Sequence, residues 1–139
     1  MRNLIILVAL AAGLWGCAQQ AGTAVPTPDA HNSRNSLSWA GLYEGVLPCA
    51  DCPGIKTRLT LRHDGSYELV TEYLERPLPA RTARGQFTWN AAGGAITLDV
   101  AGGGQAFMVG EGRLLPLGRD GTPLPASTPA RVLTQVRVD

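Results

Sequence analysis

Two alternating segments on either side of an Asp-Gly turn constrain this chain more than any other feature. From Ile55 to Arg62, one parity carries Ile55, Thr57, Leu59 and Leu61, and the other carries Lys56, Arg58, Thr60 and Arg62. From Ser66 to Tyr73, Tyr67, Leu69, Thr71 and Tyr73 alternate with Glu68, Val70 and Glu72. A period of two is that of a strand with one wet face and one dry face. Because the pleat is so strict, the turn between the segments must set a register that keeps the dry residues together. A two-residue Asp64-Gly65 loop would place Leu61 opposite Glu68. A three-residue loop, His63 to Gly65 with Gly65 left-handed, places Leu61 opposite Tyr67 and Lys56 opposite Glu72. The bulged three-residue loop is therefore predicted.

The rest of the chain extends this pattern. Trp39, Gly41, Tyr43, Gly45 and Leu47 share one parity, which reads as a first strand whose glycines let a neighbouring backbone or ring approach. Further strand candidates are Arg84 to Asn90, Ala95 to Val100, Gln105 to Gly110, Arg113 to Leu117 and Arg131 to Val138, most of them separated by glycine-rich or Asp-Gly turns. The 17 glycines and 10 prolines also favour turns over long helices. Eight short strands with hairpin connections predict an all-β fold, a small antiparallel up-and-down (lipocalin-like) β barrel in which closure removes exposed edges. Glu75 to Ala83, with two prolines, is expected to cross one barrel end as a loop. The Gly102-Gly103-Gly104 run reads as a turn between strands, and Asp51, Asp64 and Asp120 read as turn residues. No segment has helical periodicity long enough to predict a helix.

The amino terminus has a different character. Arg2 precedes an apolar run from Leu4 to Trp15, and Gly16 precedes Cys17, the layout of a secretory signal peptide. The run is shorter than the roughly 20 residues of a transmembrane helix. Leu14-Trp15-Gly16-Cys17 resembles the lipobox of bacterial lipoproteins, Trp15 being a bulky departure from the usual small residue. That resemblance implies a cleaved leader (1–16) and an acylated Cys17 bearing palmitate-type chains. It also implies attachment to the outer membrane facing the periplasm, because residues 18–20 lack an aspartate retention signal. The bland alternative is an ordinary cleaved leader with an incidental cysteine. Residues 17–36, rich in Ala, Gly, Thr, Pro, Asn and Ser, read as the lipidated terminus and a flexible tether, with His31 a solvated tether residue. Residues 37–139 are expected to form the barrel domain. With Arg2 removed, 11 basic residues face 11 acidic ones, so the chain has no electrostatic footprint for nucleic acid.

Leu47-Pro48-Cys49-Ala50-Asp51-Cys52-Pro53-Gly54 lies between the first two strands and is where chemistry could reside. Four readings are open. In an oxidising compartment Cys49 and Cys52 form a structural disulfide, or a redox pair that a partner reads. As two thiolates they suit a soft ion such as copper(I), whereas zinc would need four ligands and only His31 and His63 could supplement the pair. Thiol-disulfide exchange is the third reading, although the attacking cysteine usually opens a helix and here a strand follows. In the fourth the pair is incidental to a barrel that binds a small apolar ligand, if the Trp, Tyr and Leu side chains leave room. No nucleophile elbow, His-Glu-x-x-His or phosphate-binding glycine loop is present, and the chain is expected not to be an enzyme.

Taken in order, Trp39-x-Gly41-x-Tyr43-x-Gly45-x-Leu47-Pro48-Cys49-Ala50-Asp51-Cys52-x-Gly54-Ile55, Leu59-x-Leu61 and Asp64-Gly65-x-Tyr67-x-Leu69 resemble the N-terminal domain of the NlpE family of outer-membrane lipoproteins. Gly85-x-Phe87-x-Trp89, Ile96-x-Leu98 and Leu114-x-x-Leu117 continue the likeness. The resemblance implies a small lipocalin-like barrel, copper tolerance, and activation of the Cpx envelope-stress pathway through a periplasmic signalling partner. Only Cys17, for lipidation, and Cys49 with Cys52, as the redox or copper-responsive pair, carry over. The longest family members add a C-terminal oligonucleotide-binding-type domain, and roles that depend on that part do not carry over with the resemblance.

Overall fold

The computed structural model describes residues 32–124 and 131–139. The leader, Cys17 and His31 lie outside these residues. Eight strands follow in chain order: β1 (Gly41–Leu47), β2 (Ile55–Leu61), β3 (Ser66–Tyr73), β4 (Arg81–Trp89), β5 (Ala95–Leu98), β6 (Ala106–Gly110), β7 (Arg113–Pro116) and β8 (Leu133–Val138). Each pairs antiparallel with the next, and β8 returns to β1, so the sheet is a closed up-and-down barrel. In the β2–β3 hairpin, Leu61 faces Tyr67 and Lys56 faces Glu72. Gly65 takes φ +84°, the left-handed residue the bulged loop requires.

Several strand ends differ from the sequence expectation, for reasons of pairing. β4 begins at Arg81 rather than Arg84, because β3 is long enough to pair Thr71 with Arg81 and Val70 with Thr82. The crossing loop is thus shorter than Glu75 to Ala83. β5 ends at Leu98 rather than Val100, because Asp99 turns the chain into a 3-10 turn, Val100–Gly102. The Asp99 carbonyl accepts the Gly102 and Gly104 amides at 3.0 Å. A four-residue helix α1, Ser33–Ser36, lies in the stretch read as tether, capped by the Asn32 side chain, which accepts from Asn35 N at 3.1 Å. It is held from outside: Arg34 N donates to Gly93 O (3.0 Å) and Ser33 Oγ to Val109 O (2.7 Å).

Strand parity separates the two faces. Tyr43, Leu59, Leu61, Tyr67, Ile96, Leu98, Phe107, Leu114 and Leu133 fill the interior. Glu44 with Arg58 and Glu68 with Arg84 pair on the outside. A transmembrane barrel has the opposite arrangement, an apolar outer band around a polar lumen. No helix among the described residues is long and apolar enough to cross a membrane.

The two barrel ends also differ. At one end the connections are short, and Trp39 packs edge-on against Phe87 and Trp89 (centroids 5.8 and 5.3 Å) and tilts against His63 (5.1 Å). Its Nε1 donates to Arg34 O at 3.0 Å, so ring and helical turn together plug that end. The connections after β1, β3, β5 and β7 all emerge at the other end, which forms the mouth.

Closure depends on glycine. Gly41 has φ +140°, and a Cβ there would fall on the Arg137 carbonyl of β8; a Cβ at Gly45 would meet the Val132 carbonyl and Leu133. A second tie joins β3 to the chain after β5: Tyr67 Oη donates to Asp99 Oδ1 (2.6 Å), and Asp99 Oδ2 accepts Gln86 N (2.9 Å). The Tyr67 hydroxyl and then the Gln86 amide hold the Asp99 carboxyl below its ordinary range. Burial, reinforced by the hydrogen bond and charge of Asp99, pushes Tyr67 up to about 12, and burial alone does the same to Tyr43, whose hydroxyl donates to Trp39 O.

Gly41→Ala adds backbone strain to overpacking and should lower stability by about 2–4 kcal/mol, read by urea unfolding; a cost under about 0.5 kcal/mol would show that β8 can move aside. A tyrosine pKa raised by folding stabilises the fold fully below its ordinary value near 10 and loses that contribution as pH rises through about 12. In an alkaline titration followed by tyrosinate absorbance, Tyr43 and Tyr67 should therefore ionise only near pH 12, together with unfolding. Ionisation of Tyr67 near pH 10 with the barrel intact would contradict the assignment.

Candidate functional site

The β1–β2 connection carries Cys49 and Cys52 at the mouth rim. The chain leaves β1 at Leu47, turns through Pro48 to Gly54, and enters β2 at Ile55, which faces Leu47 across the pair. Cys49 and Cys52 are joined by a disulfide, with Cα atoms 5.2 Å apart, and both are half-buried while Ala50 and Asp51 between them are exposed. Chain entropy gives so short a loop only about 2 kcal/mol from its cross-link. The bridge therefore governs the shape of this loop far more than the stability of the barrel.

The loop is tied to the adjoining loop on the rim. The Arg76 guanidinium, from the β3–β4 connection, reaches Asp51 Oδ2 at 2.6 Å and donates to Asp51 O at 2.8 Å, and Leu74 N donates to Gly54 O at 3.0 Å. The sequence gives no sign of the Arg76 contact, since the two residues lie in separate loops and share no pattern. The other loop aspartates behave as turn chemistry predicts: Asp64 accepts from Ser66 N and Oγ, and Asp120 from Thr122 N and Oγ1. Those bonds, led by the hydroxyls, hold both carboxyls below their usual range.

The loop's chemistry depends on its oxidation state. With the bridge closed neither sulfur carries a proton, so Cys49 Sγ near Asp51 Oδ1 (3.6 Å) and Cys52 Sγ near Gly54 O (3.3 Å) are contacts rather than hydrogen bonds. Reduction would offer two thiolates beside one carboxylate, the donor atoms of Cys49, Asp51 and Cys52 lying within 4.8 Å of one another. Two adjacent thiolates fit a soft ion such as copper(I) better than a hard one. A structural zinc site needs a fourth ligand. His63 cannot supply it, because it packs against Trp39 at the plugged end. Cys52 is followed by β2 and not by a helix, so the usual device for lowering a reactive cysteine's pKa is missing from this loop. Cys17 and His31, also singled out from sequence, lie outside the described residues.

The family described as the NlpE N-terminal domain matches residues 43–127, more than half of the chain. Over 114 residues the chain is 32% identical to lipoprotein NlpE of Escherichia coli (strain K12), covering 80% of this chain and 47% of that protein. Over 52 residues it is 46% identical to a 17 kDa lipoprotein of Treponema pallidum (strain Nichols), covering 35% and 31%. The chain thus spans about half the length, or less, of these curated relatives. Among solved structures, a candidate lipoprotein from Shewanella oneidensis superposes with a TM-score of 0.70 at 40% identity, over 76% of this chain and 95% of that one. The Cpx pathway activator NlpE from Escherichia coli superposes with a TM-score of 0.52 at 30% identity, over 63% and 47%.

Arg76→Ala should change global stability by less than about 1 kcal/mol, because the ion pair is exposed. Amide exchange at Leu74 and through Ala50 and Asp51 should nevertheless accelerate as the two loops part. Unchanged exchange there, by mass spectrometry, would show that the contact does not order the rim.

Proposed function

The chain belongs to the NlpE family, and on that premise we propose that it is a non-enzymatic, membrane-anchored lipoprotein that reports envelope stress through its Cys49–Cys52 loop. The observation that carries this reading is a bridged, half-exposed pair on the mouth rim of the barrel. The chain joins the barrel through α1 and Trp39 at the plugged end, so the pair sits at the end away from that junction. Anchored by acyl chains on Cys17 in the outer membrane and facing the periplasm, the domain presents the loop to a periplasmic signalling protein. The Escherichia coli relative is described as a Cpx pathway activator, which supports a partner in that type of pathway for this chain.

Redox state is the signal in this reading. The closed bridge fixes loop shape, and opening it changes both the shape and the donors on offer. Copper responsiveness is a branch of the same reading, because the reduced pair supplies the two soft ligands that copper(I) prefers. Thiol-disulfide catalysis is not part of it, since no helix terminus activates either cysteine.

The test is a deletion strain complemented with wild type or with the Cys49→Ser, Cys52→Ser double variant, each brought to equal abundance. The double variant should lose most stress-induced reporter output, about tenfold if the loop contributes about 1.4 kcal/mol to partner binding. Full induction by the double variant would remove the pair from the signal. For the copper branch, copper(I) titrated into the reduced full chain should bind more tightly to wild type than to the double variant, and equal binding would remove that branch alone.

A further inference from the structure

The filled interior stops short of the mouth, where two adjoining hollows open. One, of about 630 Å³, has Thr71, Tyr73, Arg81 and Gln105 in its wall. The other, of about 400 Å³, is bounded by Pro48, Phe107, Pro116, Leu117 and Leu124. Leu47, Ile55 and Gln105 border both, so the hollows form one cleft with a polar lobe and an apolar lobe. Each lobe falls within the roughly 300–1,000 Å³ typical of small-molecule sites.

Arg81, Arg84 and Arg131 border the cleft and, among the described residues, no aspartate or glutamate does. Arg131 is engaged by another group, and Arg84 reaches the cleft from the outer face, where Glu68 holds it, Nε to Oε2 at 2.6 Å. Arg81 differs. Its register opposite Thr71 puts it on the strand face that turns into the mouth, and it has no ionic partner among the described residues. The Thr71 and Tyr73 hydroxyls beside it are also without hydrogen-bond partners there.

We propose that this cleft binds a single-chain amphiphile with an anionic head. The head meets the Arg81 guanidinium with the Thr71 and Tyr73 hydroxyls as additional donors. The chain crosses Leu47 and Ile55 into the apolar lobe. A neutral lipophile fits less well, because it would dehydrate Arg81 and two hydroxyls without supplying an acceptor. A bare anion fits less well because it leaves the apolar lobe unused. Below Leu69 the barrel axis is occupied by the buried Tyr43, Tyr67 and Phe107 side chains, so the cleft lies at the mouth. The proposal does not depend on the signalling role.

Alkyl phosphates and fatty carboxylates share this chemistry, so octyl phosphate and octanoate serve as probes. Each is titrated by calorimetry into the full chain in phosphatidylcholine nanodiscs, with empty nanodiscs as the blank. At least one should bind saturably at one per chain, and the probe that does so identifies the head group. Octyl glucoside and inorganic phosphate should each bind about tenfold more weakly or worse, since each lacks one of the two contacts. Arg81→Gln should weaken the anionic probe about tenfold. Leu124→Ser, at an exposed position of the apolar lobe, should weaken the octyl probes and leave inorganic phosphate unchanged. It keeps the test decisive should Arg81→Gln fold poorly. No saturable binding, equal binding of octyl glucoside, inorganic phosphate binding as tightly as octyl phosphate, or indifference to the variants would each overturn the proposal.

Discussion

The closure of β1 against β8 is the constraint on which the other features rest. An eight-strand sheet that stayed open would leave two unpaired edges and expose one flank of the core. Here the seam closes because Gly41 and Gly45 have no side chain where the Arg137 and Val132 carbonyls pass. Once it is closed, every inward residue has neighbours on both sides, and Tyr43, Leu59, Tyr67, Phe107 and Leu133 pack as one interior. The same glycines that make β1 a poor isolated strand make it a good seam.

Closure also makes the two ends unequal. An up-and-down barrel sends alternate connections to opposite ends. At one end these are tight turns with the Trp39 plug, and at the other they are longer loops around a cleft. Long connections can carry turns, a disulfide and an ion pair without disturbing the ladder, which is where binding residues usually sit. The rim loops hold one another: Arg76 grips Asp51 from the adjoining loop, and Asp99 ties the 3-10 turn to Tyr67 and Gln86. The cysteine pair and the cleft share Leu47, Pro48 and Ile55 as common ground, so a change of loop shape reaches the cleft through residues in direct sequence with the bridge.

The residues whose environment is local were legible in advance. The β2–β3 register followed from parity and one glycine, and Asp64 and Asp120 act within two residues of themselves. The cysteine pair was legible for the same reason, being close in sequence and bounded by two alternating strands. The first residues of β4 were not, because Arg81 to Ala83 contain no alternation of their own and become strand only when β3 offers its edge. Asp99 stands before Val-Ala and three glycines, which marks a turn, but its carboxyl bonds to the distant Tyr67 and Gln86 and leaves no local sign of that role. Arg76 and Arg81 carry no local signal at all.

What the amino-acid order determined by itself is the class of fold, the number of strands, and the presence of two neighbouring cysteines between the first and second of them. Alternation, glycine and proline act over a few residues, and that range suffices for strands and turns. Only the tertiary structure decided that the sheet closes at Gly41, that Trp39 stoppers one end, and that Arg76 and Arg81 meet the cysteine loop and the cleft at the other. Those outcomes depend on which side chains are brought together from distant positions, and such distances exist only after the barrel has formed.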